Sequence, residues 1–313
     1  METLAVLLKA PGDLGLQRVE IEEPTDADVV VDVLWSGIST GTERLLYTGR
    51  MPPFPGMGYP LVPGYETVGR VTATGTKSGH AIGDHVFIPG ARCFKNVHAL
   101  FGGAAQKLVV PANRAVKVPA NLGQNSALLA LAATAHHAIA GGPPPQMIVG
   151  HGILGRLIAR IVVALGHPAP VVWELNEARM GGAVGYTVIH PEAESKGKTY
   201  ETICDASGDA DILDTLIARL APGGEITLAG FYSDRLSFAF ASAFMREARL
   251  RVAAQWFPAD LVAVTSLVAQ SSLSLEGLIT NSQPAAQAEH AYRTAFGDPE
   301  CLKMVLDWRE LAS

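Results

Sequence analysis

Six consecutive residues, Gly150-His151-Gly152-Ile153-Leu154-Gly155, space three glycines as G-x-G-x-x-G. The glycines play three different physical roles. Gly150 makes a tight turn, Gly152 lets backbone approach a pyrophosphate, and Gly155 lets a helix pack closely on a strand. The start of that helix adds roughly half a positive charge and free N–H donors. Glu174 follows about two dozen residues on, where a carboxylate accepts hydrogen bonds from the hydroxyls of an adenosine ribose. A 2′-phosphate held about 4 Å from it would meet repulsion of about 4 kcal/mol per unit charge at an effective dielectric of about 20. Leu175 and Asn176 offer nothing to offset that, so the sequence predicts NAD(H) over NADP(H).

The surrounding residues predict the elements such a site needs. A strand over 146–150, a helix over 154–165 and a strand over 170–174 form a βαβ unit. Leu154, Leu157, Ile158, Ile161, Val162 and Leu165 give the helix one apolar stripe. Strand and helix alternation continues through a strand at 202–205, a helix at 210–220, a turn at Ala221-Pro222-Gly223-Gly224 into a strand at 225–230, a strand at 250–255 and a helix at 260–269. This is a doubly wound parallel sheet of Rossmann type. Ahead of it, residues 1–120 read as short strands at 4–8, 29–35, 67–71, 85–88 and 106–110 broken by Gly and Pro, a partly closed antiparallel β domain. A helix at 126–139 and the stiff Gly141 to Pro145 segment lead into the second domain. The last forty residues, through Cys301 to Trp308, read as helical and return to the first domain. The expected division is 1–120 with 271–313 for one domain and 121–270 for the other.

Composition narrows the function classes. The chain of 313 residues is 48% hydrophobic and 17% charged, enough for two cores and against extended disorder. A formal charge of −6 without like-charge runs gives no footprint for nucleic acid. Residues 1–10 lack a basic, cleavable leader, and no apolar run has the length of a membrane span; a cytoplasmic protein is expected. Cys93, Cys204 and Cys301 suit a reducing compartment and form no metal-ligand cluster.

The β domain, the fingerprint, Asp205-Ala206-Ser207-Gly208 and Pro222-Gly223-Gly224 together resemble the medium-chain dehydrogenase/reductase superfamily over nearly the whole chain. That resemblance implies a GroES-like β-barrel domain beside the Rossmann domain, with Thr134, Ser207 and Gly208 bordering the cofactor. Within the superfamily, the stretches Trp35 to Glu43, Met51 to Glu66 and Phe101 to Ala105 are similar to the bacteriochlorophyllide a dehydrogenase family. The likeness implies NAD⁺-linked oxidation of a 3-(1-hydroxyethyl) group on a chlorin, bacteriochlorophyllide, to 3-acetyl in bacteriochlorophyll biosynthesis, with a homodimer as the candidate assembly.

Zinc-dependent members carry Gly-Ile-Cys and later Gly-His-Glu. Here the cysteine position is Ser39 or Thr40, the histidine position is Tyr65 in Gly64-Tyr65-Glu66, and the third ligand falls near Ala130. Hydroxyl, phenol and methyl groups are poor zinc donors, so no metal is expected. Without a Lewis acid a proton relay must serve. Tyr65 is the candidate contact for the substrate oxygen, Glu66 its tuning or relaying partner, and Ser39 or Thr40 a hydroxyl in the chain; the alternative for Tyr65 is a volume filler. His137 is a further candidate proton acceptor. His136, adjacent on a helix and about 100° away, should face elsewhere, and His85 and His98 read as structural. Met51, Phe54, Met57 and Tyr59 suit a flat macrocycle or a core cover, and Arg44, Arg50 or Arg92 could meet a propionate. Two rival readings are a zinc-free quinone or enoyl reductase using NADPH and a non-catalytic nucleotide-binding protein.

Overall fold

The computed structural model describes residues 1–53, 55–232 and 234–311. In chain order the first strands are β1 (Glu2–Ala10), β2 (Asp13–Glu20) and β3 (Asp28–Ile38). A short helix, α1 (Thr42–Thr48), precedes β4 (Leu61–Val62), β5 (Thr67–Thr74), β6 (His85–Ile88), β7 (His98–Ala99), β8 (Lys107–Pro111) and β9 (Val116–Lys117). Then come α2 (Leu129–Ala140), β10 (Met147–Val149), α3 (Ile153–Ala164), β11 (Val171–Trp173), β12 (Thr187–Ile189), β13 (Tyr200–Asp205), α4 (Leu213–Arg219), β14 (Leu220–Leu228), α5 (Phe240–Met245), β15 (Arg249–Val252) and α6 (Pro258–Ala269). The chain closes with β16 (Asn281–Pro284), α7 (Ala288–Gly297) and β17 (Met304–Asp307).

Two compact units result. One comprises residues 1–130 and 278–313, the other 131–277; the crossings fall at Ala130 and Leu278 where 120 and 271 are the expected positions. The segment Ala120–Leu128 packs on β3, β5 and β6, which keeps it in the first unit.

In the first unit a sheet of order β16-β17-β3-β5-β6-β9, with β8 also on β3, lies with a four-stranded sheet β2-β1-β4-β7. Pairing is antiparallel except at β16·β17 and β4·β7. The tail corrects the helical expectation: α7 and two short 3-10 turns, Ala285–Gln287 and Arg309–Leu311, are helical, and Met304-Val305-Leu306 form a strand antiparallel to β3. All three side chains are wholly buried, and a short apolar run buried on both faces carries no period that separates strand from helix.

In the second unit the parallel order is β12-β11-β10-β13-β14-β15, or 3-2-1-4-5-6 within the unit. The order reverses between β10 and its neighbours, the point where doubly wound sheets bind ligands. Leu157, Ile158, Ile161 and Val162 of α3 are wholly buried, each worth about 1.5–3 kcal/mol relative to exposure. Leu165 is 42% exposed past the helix end, and Arg156 and Arg160 are buried instead, so α3 is enclosed well beyond its apolar stripe. Pro222-Gly223-Gly224 lies within the span of β14, at an irregularity in its pairing with β13.

Candidate active site

The fingerprint turn joins β10 to α3. Gly150 sits at φ +91°, conformational space that favours glycine, and a Cβ on Gly155 would come within 1.9 Å of the Gly150 carbonyl. A Cβ on Gly152 would meet nothing within 4 Å, so the backbone before α3 is bare, a cradle that a side chain would fill. Ser207, on the turn after β13, lies against Gly150. That turn is tied by Asp205, whose Oδ1 accepts from the Ser207 N–H at 2.9 Å and hydroxyl at 2.6 Å, and whose Oδ2 accepts from Tyr232 at 2.6 Å. Gly208 follows at φ +74°. Glu174 ends the second strand with its carboxylate fixed by the backbone N–H of His151 and of Asn176, both at 2.8 Å. A bare helix start, a crowded strand–helix contact and an oriented carboxylate fit a dinucleotide. Ile153 and Leu154 open α3. The His151 side chain is wholly buried beneath the turn, so only its backbone belongs to the cradle.

Thr134 lies half-buried on α2. The adjacent histidines do not part company as a 100° step suggests. His136 Nδ1 meets Asp260 Oδ1 at 2.7 Å and His137 Nδ1 meets Oδ2 at 3.0 Å, with the His137 ring edge-on to Phe257. One carboxylate spans both rings. Burial opposes the charge of Asp260, but the Phe257 N–H and the two imidazoles outweigh it and hold its carboxyl below the ordinary range.

In the first unit Tyr65 donates to Ser39 Oγ at 2.8 Å, and the Thr42 N–H reaches the same oxygen at 3.3 Å. Phe101 stands edge-on to the Tyr65 ring at 5.1 Å. Burial, aided by the negative charge of Glu66, pushes the Tyr65 phenol well above its ordinary value, so it stays protonated. Glu66 is wholly buried and its carboxylate pairs with the equally buried Lys303 from the start of the β17 segment; Oε1 has no partner among the described residues. Burial raises the Glu66 carboxyl while Lys303 opposes the rise. Lys303 also donates to the Ile38 carbonyl at 2.9 Å.

Beside them Glu43 is enclosed, accepting from the Ser39 N–H at 3.2 Å and from Tyr292 at 2.5 Å. Its carboxyl is pushed up to about 7, by burial first. Glu43, Tyr292 and Lys303 are absent from the site residues expected of the sequence. Lys303 had a signal, a single lysine inside Cys-Leu-Lys-Met-Val-Leu; the other two had none. Thr40 is half-buried, and its hydroxyl makes no hydrogen bond among the described residues.

Ser39, Tyr65 and the buried Ala130 present a hydroxyl, a phenol and a methyl, which is not a zinc donor set. Among the described residues no group of three or more His, Cys, Asp or Glu is placed to hold a metal ion. Met51, Met57 and Tyr59 pack on the first unit's core, and Tyr59 donates to the Leu46 carbonyl at 2.6 Å; Phe54 lies outside the described residues. The His98 ring lies over Gly58, and His85 pairs with Arg70 across β5 and β6. Arg44 belongs to α1, Arg50 follows it, and Arg92 lies between β6 and β7. No described helix is long and apolar enough to cross a membrane.

Residues 25–120 match the alcohol dehydrogenase GroES-like domain. The chain is 54% identical, over the full length of both, to 2-desacetyl-2-hydroxyethyl bacteriochlorophyllide A dehydrogenase of Cereibacter sphaeroides. It is 53% identical, over 99% of each, to the protein of that name from Rhodobacter capsulatus. Among solved structures it shares its fold with an alcohol dehydrogenase from Escherichia coli complexed with NADH (TM-score 0.83, 21% identity, 98% and 99% coverage). A dehydrogenase from Sinorhizobium meliloti bound to NADP has a TM-score of 0.81 at 20% identity, over 98% and 99% of the two chains.

Proposed function

The chain belongs to the family of the 2-desacetyl-2-hydroxyethyl bacteriochlorophyllide A dehydrogenases, within the medium-chain dehydrogenase/reductase superfamily, and on that premise we propose that it oxidises the 3-(1-hydroxyethyl) group of a bacteriochlorophyllide to 3-acetyl. The observation that carries this reading is identity above half over the entire chain. The first unit takes the pigment, the second the dinucleotide, and the reaction runs without zinc in the cytoplasm.

Bound NAD⁺ supplies the hydride acceptor. The chain's own groups handle the proton. Ser39 Oγ has one lone pair on the Thr42 N–H and a second contact with Tyr65. With the hydroxyls rotated so that Ser39 donates to Tyr65 and Tyr65 to Thr42, the substrate hydroxyl gives its proton to Ser39 Oγ, the Ser39 proton passes to the Tyr65 oxygen and the Tyr65 proton passes to the Thr42 hydroxyl. A phenol held above its ordinary range is a relay and not a base. Thr42, which also bonds the phenol, carries the proton onward toward solvent. Glu66 acts through its charge, restrained by Lys303. Glu174 selects NAD⁺ by presenting its carboxylate where a 2′-phosphate would have to sit.

For the homodimer, the edge of β15 is the face we propose. Val252 there is 76% exposed, and Phe240, Phe244 and Met245 of α5 are 73%, 65% and 77% exposed. A second copy meeting that edge about a twofold axis closes both backbones and covers the same apolar side chains on each.

The test is to incubate the purified, metal-analysed protein with the hydroxyethyl pigment and NAD⁺. An acetyl carbonyl conjugated with the macrocycle shifts its long-wavelength absorption to the red as NADH forms. Folded protein giving neither signal rejects the assignment.

A further inference from the structure

Arg156, the fourth residue of α3, has the wrong sign for its place. The start of a helix is its positive end and favours carboxylates, yet this guanidinium is only 7% exposed there. Its Nε donates to the His151 carbonyl at 3.0 Å and its Nη2 to the Arg179 carbonyl at 2.8 Å. Gly182 leaves it room, since a Cβ there would meet Nη1 at 2.4 Å. No described carboxylate lies within ion-pair distance. Arg160, one turn on and equally buried, bonds the carbonyls of Ser274 and Glu276, at 2.9 Å each, and the Tyr186 side chain, and its Nε has no partner among the described residues.

The groups around Arg156 add no negative charge to match it. His151 Nδ1 lies 2.6 Å from the Arg179 carbonyl, which can only accept, so that nitrogen carries the proton. Burial lowers the imidazole to about 4, which leaves it neutral and its Nε2 free to accept from Tyr186 at 2.8 Å. Besides the Tyr186 phenol, the acid whose charge reaches Arg156 is Glu174, and that carboxylate is turned to the backbone of His151 and Asn176. A buried cation bonded only to neutral carbonyls is costly, and it is bonded to the very turn that receives a pyrophosphate.

We propose that Arg156 is a counter-charge for the dinucleotide pyrophosphate, acting through the fingerprint turn as a positioning residue without touching the ligand. The proposal rests on the dinucleotide reading above and adds the residue that tunes its affinity. The site therefore prefers ligands with at least two phosphate charges.

The test compares wild type, Arg156→Met and Arg156→Lys by titration calorimetry with NADH, ADP and adenosine, each variant first checked for cooperative unfolding. In Arg156→Met, NADH and ADP bind about tenfold more weakly, about 1.4 kcal/mol. Arg156→Lys, which keeps the charge but cannot bridge two carbonyls, stays within about threefold. Adenosine binding is the same in all three. Met-variant affinity for NADH equal to wild type overturns the proposal, as does a lysine variant that loses as much as the methionine one. If Arg156→Met does not fold, Arg156→Gln takes its place: loss confined to NADH and ADP supports the proposal, and no loss, or equal loss for adenosine, overturns it. Wild type that binds no dinucleotide rejects the underlying reading instead.

Discussion

A methyl group placed on Gly37 would come within 2.1 Å of Glu66 Oε2 and 3.0 Å of the Lys303 side chain. The buried ion pair therefore depends on a glycine in the neighbouring strand, β3, whose N–H also bonds the Glu66 carbonyl at 2.8 Å. Gly37→Ala is expected to destabilise the protein by about 3 kcal/mol, combining overpacking with disturbance of a buried pair. Urea unfolding measures it, and a change below about 0.5 kcal/mol would show that the pair yields freely.

Removing either hydroxyl of the proposed relay should lower turnover while leaving the fold intact. Ser39→Ala and Tyr65→Phe are each expected to reduce kcat by about 10²–10³ with KM little altered. Full activity in Tyr65→Phe would leave that ring as a filler of space.

Glu43 makes stability depend on pH. Its folded value of about 7 lies above the ordinary 4.5, so between those values the folded state holds a proton that the unfolded chain has released, and stability falls as pH rises through that window. The expected loss between pH 4.5 and 7 is about 3 kcal/mol at about 1.36 kcal/mol per unit. Glu43→Gln should flatten this part of the profile and be the more stable form at pH 8; thermal melts across the range that show parallel curves for both proteins would refute the assignment.

Cofactor choice is open to a direct titration. Glu174→Ala removes the carboxylate held by His151 and Asn176, and NAD⁺ affinity should drop about tenfold while NADP⁺ improves relative to it. Unchanged affinities for both would place the adenosine ribose elsewhere.

Val252→Asp puts a charge at the exposed edge of β15. If the proposed dimer forms through this edge, light scattering should report a dimer for the unmodified protein and a monomer for the variant. A dimer that survives the substitution uses another face.

The second unit was more legible in the sequence than the first. The fingerprint, the α3 apolar spacing and Glu174 each follow from local rules, and Gly150, Gly155 and Glu174 occupy the places those rules require. His151 shows where locality stops: its position in the motif is readable, but the inward turn of its ring depends on Tyr186 and Arg179, far along the chain. The Tyr65–Ser39 contact joins two motifs recognisable in the sequence, whereas Lys303 reaches Ile38 across 265 residues and Tyr292 reaches Glu43 across 249. The strand at Met304–Asp307 escaped for the related reason that its partner β3 lies near the other end. His136 and His137 were separable on an ideal helix, and only the position of Asp260 brings them together.

The central strand β3 finds one of its edges covered by β17, and this has a bearing on biosynthesis. While the polypeptide is still leaving the ribosome, residues 131–277 can consolidate as soon as they emerge, but the earlier barrel must wait with an open seam for residues 304–307. Until residues 303–307 arrive, Glu66 has no lysine and the Trp35–Ile38 backbone of β3 lacks its β17 ladder.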